Sequence, residues 1–144
     1  MTTSSKHLQR TKILFVCYGN SCRSQMAEAI ARHHAPKLIE AESAGVRPLG
    51  SVAPETLAVL QEIGIRAEGH YSKSISDALQ FFEPEMVVNM SGQDLDGWFA
   101  TKNVVDWKVG DPYGSDLEVY RRICRNIEDK VKKLVSDLEK EKTK

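Results

Sequence analysis

The chain has 144 residues, 41% of them apolar and 28% charged, ordinary values for one globular domain that can bury its own core. Lys plus Arg and Asp plus Glu each number 20, and this balance argues against a nucleic-acid binder while leaving room for one local anion site. No segment is long enough to cross a membrane, and the apolar run 13–16 is too short for a signal-peptide core, so residence in the cytoplasm is expected. Three cysteines, an odd number, fit a reducing compartment better than a disulfide framework. Cys17 and Cys22 lack the spacing and the second pair that a zinc site needs.

In chain order, residues 1–11 read as a flexible polar tail and 12–140 as a single domain. Residues 12–16 are a short apolar run of β-formers, broken by Tyr18-Gly19-Asn20-Ser21. Residues 24–33 are predicted helical, with Met26, Ala27, Ile30 and Ala31 on one face and Pro36 ending the segment. A second strand is expected over 38–43, followed by Gly45. A second helix is expected over 54–63: Pro54 suits its first turn, Leu57, Leu60 and Ile63 point one way, and Gly64 suits its C-terminal cap. A short helix over 76–82, a third strand over 85–90, a loop or short helix over 92–100 and a fourth strand over 103–109 follow. The last helix has the strongest pattern. Ser115 and Glu118 form a capping-box signature, and Leu117, Tyr120, Ile123, Cys124, Ile127, Val131, Leu134 and Leu138 make one apolar stripe. Residues 139–144 are expected to fray. Strands that alternate with helices, and that are apolar on both faces, define an α/β fold. The expected form is a three-layer sandwich with a four-stranded parallel sheet and helices on both faces.

Such sheets bind ligands at the carboxyl ends of their strands, which directs attention to Cys17 at the end of the first strand. The segment Cys17-Tyr18-Gly19-Asn20-Ser21-Cys22-Arg23-Ser24 joins a strand end to a helix start through a glycine-containing loop. Its backbone N–H groups can converge on an anion, and the helix N-terminus adds positive potential. Gly19 and Asn20 both tolerate the left-handed backbone that curls the loop inward. Arg23 supplies a planar fork for two phosphate oxygens. Donors that bind an oxyanion also favour a thiolate, so Cys17 is expected to be a strong nucleophile, with Ser24 donating to it.

With its flanking Val16 and the following Met26-Ala27-Glu28-Ala29, this segment resembles the phosphate loop of two related groups. These are the low-molecular-weight protein tyrosine phosphatases and the thioredoxin-linked arsenate reductases that share their fold. Ser43-Ala44-Gly45 and Asp111-Pro112-Tyr113 match the same family, and the resemblance runs from about Lys12 to the last helix. It implies that Cys17 is the nucleophile, Arg23 the phosphate clamp and Asp111 the general acid, which then activates water against the phosphocysteine. From the residues alone, 111–114 reads at least as readily as a turn before the last helix. The resemblance further implies that Tyr18, Gly19, Asn20, Ser21, Cys22 and Ser24 surround the oxyanion and that Tyr113 forms an aromatic wall. Asn20, Ser43 and His70 would hold the loop in shape, and Cys22 would form a reversible disulfide with the nucleophile. Cys124 reads as core. One departure is Gln25, where the family usually has proline; a slightly less rigid loop is expected.

The arsenate reductases also use a cysteine pair beyond the third strand. Residues 87–98 hold no cysteine, and Ser91 stands about where the first would be, which favours a phosphatase over a thioredoxin-linked reductase. Gly45-Val46-Arg47-Pro48-Leu49 and the Trp107 region nevertheless look closer to the reductase-like bacterial branch. The expected activity is hydrolysis of phosphotyrosine or a small aryl phosphate by a monomer. No metal or organic cofactor is implied, because the loop and Arg23 supply the electrostatic stabilisation. The alternatives are arsenate reduction with an external thiol, and a non-catalytic phosphate-binding or phosphocysteine carrier role.

Overall fold

The computed structural model describes residues 9–67 and 69–142, so residues 1–8 of the expected tail lie outside the described residues. Four strands, β1 (Thr11–Cys17), β2 (Ile39–Gly45), β3 (Met86–Asn89) and β4 (Val104–Asp106), form one sheet in the order β2-β1-β3-β4. All three pairings are parallel. The helices are α1 (Arg23–His34), α2 (Pro54–Glu62), α3 (Ile75–Leu79) and α4 (Leu117–Lys142).

Side chains alternate across the central strand β1. Ile13, Phe15 and Cys17 enter a core with Met26 and Ile30 of α1, Leu60 of α2, and Tyr120, Ile127 and Val131 of α4. Leu14 and Val16 enter a second core on the opposite face with Ala44, Ile75, Ala78, Phe82, Val87 and Leu95. These two cores make the α/β arrangement three layers deep, as expected. Every residue of β1 from Ile13 to Cys17 is buried, which is why its sequence reads as a continuous apolar run.

The boundaries move where backbone partners decide them. The fourth strand shrinks from the expected 103–109 to three residues, Val104–Asp106. It is an edge strand whose only neighbour among the described residues, β3, has four residues. Residues 92–100 form turns and loop, not helix. At α2, Pro54 occupies the first turn and Gly64 takes a left-handed φ of 80°, both as the sequence suggests. The expected capping box at α4 is not formed. Ser115 N is taken by Pro112 O at 2.8 Å, in a turn where Gly114 has φ 82°. Asp116 therefore stands directly before the helix, and its Oδ1 accepts from Val119 N at 3.1 Å. Glu118 instead pairs with Arg121. The helix stays regular to Lys142, beyond the point where fraying was expected.

Candidate active site

The loop after β1 is shaped from outside by partners for its carbonyls. Val46 N donates to Cys17 O at 3.1 Å, Arg47 N to Tyr18 O at 2.8 Å and Leu49 N to Gly19 O at 2.9 Å. Ser72 Oγ also reaches Gly19 O. Gln25 Nε2 donates to Asn20 O at 3.2 Å. Ala53 N and Thr56 Oγ1 both donate to Ser21 O. A trans peptide points its C=O and the following N–H in opposite directions. Holding the carbonyls of Cys17 through Ser21 outward therefore turns the N–H groups of Tyr18, Gly19, Asn20, Ser21 and Cys22 to the opposite, concave side. Asn20 reaches this curvature with φ 50°, a value that asparagine tolerates better than most residues. Gly45 lets the loop lie close to β2, since a Cβ there would stand 2.8 Å from Asn20 N and 2.9 Å from Tyr18 O.

Cys17 ends β1 with its Sγ 2.9 Å from Ser24 Oγ. Asn20 Nδ2 donates to that same Oγ at 2.7 Å, which leaves the serine hydrogen free to point at the sulfur. Behind the loop lies a buried polar cluster. Asn20 Oδ1 accepts from Lys73 N at 2.9 Å and from Gln25 Nε2 at 3.1 Å. Gln25 is wholly buried, and its Nε2 also donates to Tyr71 O at 3.0 Å. Those acceptors orient the amide, so Gln25 Oε1 faces His70 Nδ1 at 3.0 Å and the hydrogen sits on Nδ1 in the neutral ring. His70 Nε2 then faces Glu28 Oε2 at 3.7 Å. Glu28 Oε1 accepts from Ser43 Oγ at 2.5 Å, and Oε2 meets Arg32 at 2.9 Å. Burial holds His70 below the ordinary imidazole range, with the Glu28 carboxylate opposing that shift.

Arg23 opens α1. Its Nη1 donates to Met90 O at 2.6 Å and Val109 O at 3.1 Å. Nη2 lies 3.6 Å from Asp111 Oδ2. Its Nε is buried and has no hydrogen-bond partner among the described residues. The fork is thus anchored by one nitrogen and presents two others, a disposition suited to a multivalent oxyanion. Asp111 is half-exposed, and its Oδ1 accepts from Tyr113 N at 3.1 Å. Tyr113 is 60% exposed, and Tyr18 and Leu49 are also exposed. On the other side of Arg23 a groove of about 1110 Å³ runs between the chain after β3 and the chain after β4, past Met90, Leu95, Trp107 and Val109.

Of the residues singled out in the sequence, Cys17, Ser24, Arg23 and Asp111 meet around the loop, while Asn20, Ser43 and His70 meet behind it. Cys22 Sγ donates to Tyr120 Oη at 3.5 Å. Its burial pushes the thiol above the usual range against the hydrogen bonds of Tyr120 and Thr56. Burial likewise raises Cys124 in the core, to about 11. Gln25, where a slightly less rigid loop was expected, places its side chain against Asn20, Tyr71 and His70. Sequence reasoning assigned no site role to Glu28, Lys73, Tyr120 or Thr56, which contact the loop or its supporting cluster. Glu28 is buried although it lies off the apolar face set by Met26, Ala27, Ile30 and Ala31, so helical periodicity gave no signal for it.

The chain belongs to the family described as low molecular weight phosphotyrosine protein phosphatase, whose model matches residues 12–144. It is 31% identical over 130 residues to a glutaredoxin arsenate reductase of Synechocystis sp., covering 88% of this chain and 98% of that one. It is 33% identical over 145 residues to a protein-arginine-phosphatase of Geobacillus stearothermophilus, covering 90% and 97%. Among solved structures, a low molecular weight protein tyrosine phosphatase from T. tengcongensis superposes with TM-score 0.77 at 30% identity, covering 88% and 99%. Three chemistries are thus represented among similar proteins on one fold.

Proposed function

We propose that this protein is a cysteine-dependent phosphatase acting on phosphotyrosine or a small aryl phosphate. Cys17 attacks phosphorus, the loop N–H groups and Arg23 hold the three equatorial oxygens, and Asp111 protonates the leaving oxygen. Water activated by the Asp111 carboxylate then cleaves the phosphocysteine and returns the thiolate. The observation that carries this reading is the position of Asp111 beside the free side of the Arg23 fork, 3.6 Å from Nη2. A group that both protonates the ester and activates water discharges the sulfur, which a phosphocysteine carrier must avoid. The exposed Tyr113 next to it suits an aryl leaving group. The same reading has the protein working as a monomer in the cytoplasm.

A second reading, arsenate reduction, draws on the named relatives. It requires Cys17 to be regenerated by thiols, and the groove beside Arg23 carries no cysteine. Cys22, which points at Tyr120, and Cys124, in the core, are the other thiols of the chain, so the reductant would have to come from outside.

The deciding experiment is p-nitrophenyl phosphate hydrolysis without added metal, at mildly acidic to neutral pH, by wild type and Cys17→Ser. Turnover abolished in the variant supports the phosphatase reading. A wild type that is inactive under reducing conditions, yet consumes thiol when given arsenate, overturns it. Phosphotyrosine and phosphoarginine peptides, compared by kcat/KM, then separate the two phosphoprotein substrates represented among similar proteins.

A further inference from the structure

The carbonyl of Asn20 differs from its neighbours in the loop. Those of Cys17, Tyr18 and Gly19 are met by the backbone of residues 46–49, and that of Ser21 by Ala53 N and Thr56 Oγ1. The Asn20 carbonyl is met by a side chain, Gln25 Nε2 at 3.2 Å, and no other donor reaches it among the described residues. This peptide is also the one that follows the strained residue of the loop, with φ 50°. A left-handed, singly held peptide is the part of the loop most able to rotate, and rotation would carry the Ser21 N–H out of the concavity.

The amide of Gln25 is built for this task. Nε2 has two hydrogens for three acceptors: Asn20 O, Asn20 Oδ1 at 3.1 Å and Tyr71 O at 3.0 Å. Oε1 is held by His70 Nδ1. The side chain is wholly buried, so water cannot replace these contacts. A directed chain then runs from Gln25 to the sulfur. Gln25 and the Lys73 amide fix Asn20 Oδ1; this aims Asn20 Nδ2 at Ser24 Oγ, and the Ser24 hydrogen is left for Cys17 Sγ.

We propose that Gln25 is a positioning residue for anion binding. It locks the Asn20–Ser21 peptide so that the Ser21 N–H faces the oxyanion, and it ties the loop to the segment Tyr71–Lys73. The proposal rests on the reading of this loop as an oxyanion site, and it assigns a task to a side chain that touches neither the phosphate nor the leaving group.

The test uses inorganic phosphate as probe, through its protection of Cys17 from iodoacetamide, with labelling located by peptide mass. Gln25→Met keeps length and volume but removes the amide. Gln25→Glu keeps an oxygen for His70 but sets a carboxylate against the two Asn20 oxygens. We expect phosphate affinity to fall about tenfold in Gln25→Met, the scale of one lost orienting hydrogen bond, and further in Gln25→Glu. The rate of Cys17 alkylation without phosphate should fall in the same order. Thermal melts confirm that the variants are folded at the assay temperature, and a purely structural role would lower the melt without moving phosphate affinity well below it. Should Gln25→Met not fold, His70→Asn tests the link from its outer end and is expected to weaken phosphate by a few-fold. Folded variants that bind phosphate within twofold of wild type overturn the proposal alone. A wild type whose Cys17 phosphate does not protect overturns the oxyanion site beneath it.

Discussion

A Cβ placed on Gly45 would stand 2.8 Å from the amide nitrogen of Asn20, closer than such atoms approach in folded proteins. The end of β2 and the curled loop after β1 therefore share a space that only glycine leaves open. Gly45→Ala is expected to destabilise the fold by about 1–3 kcal/mol, the usual range for overpacking. That corresponds to a melting temperature lower by roughly 2–4 °C per kcal/mol. Because the displaced atoms belong to the loop, phosphate binding should weaken in the folded variant as well. A melt and a phosphate titration on the same sample check both effects.

Asp111→Asn separates the proposed acid from a mere turn residue. Asparagine can still accept from Tyr113 N, as Asp111 Oδ1 does, so the local turn should survive. Loss of the acid should slow esters with poor leaving groups by about 10²–10⁴-fold, and p-nitrophenyl phosphate much less. Equal losses across a series of aryl phosphates would reduce Asp111 to a structural residue.

Arg23→Lys keeps the charge and removes the fork. One ammonium cannot donate to Met90 O and Val109 O, as Nη1 does, and also embrace an oxyanion with two further nitrogens. The expected loss is roughly 100-fold or more in kcat/KM, of the order found for deleting one preorganised oxyanion donor. Steady-state kinetics measure it directly.

His70 sets a pH dependence of stability. Its folded value is held below the ordinary 6.5, first by burial, so the unfolded chain takes up the proton first as pH falls. The stability contributed by neutral His70 is fully present above 6.5 and declines below it, until the folded ring also protonates. His70→Asn should therefore show a flatter stability curve than wild type through this window. Denaturant titrations from neutral to mildly acidic pH would reveal the difference, and parallel curves would deny His70 the effect.

The three thiols should react in a fixed order. All three thiols are buried, so access alone does not rank them; desolvation raises Cys22 and Cys124, the latter to about 11, whereas Cys17 Sγ has the Ser24 hydroxyl at 2.9 Å. Iodoacetamide near neutral pH should label Cys17 in the native protein and reach the other two only after unfolding. Peptide mapping before and after denaturant distinguishes these sites.

The parallel sheet and the strand–loop–helix around Cys17 were legible because each rests on local pattern: an apolar run, a glycine, then helical spacing. The loop's own carbonyl partners were not, since Val46, Arg47, Leu49, Ala53 and Thr56 come from elsewhere in the chain and carry no periodic signal. Gln25 shows the limit best. Set beside the usual proline, it suggests a looser backbone, because propensity describes only the main chain. Its side chain contacts Tyr71 and His70, more than forty residues away, which no local propensity registers. Ser115 misled for the opposite reason: a good local capping pattern lost to a turn one residue earlier, which gave the cap to Asp116.

The anchoring of Arg23 has an optical corollary. One guanidinium nitrogen joins the carbonyl of Met90, after β3, to that of Val109, after β4. The two tryptophans of the chain lie on these same two segments. Trp98 follows Met90 and is 43% exposed; Trp107 precedes Val109 and packs on Phe15 at a ring distance of 6.0 Å. Trp107 lines the same groove as Arg23, so its emission is expected to shift when phosphate is added, and an unchanged spectrum would show that the loop and this segment are not coupled.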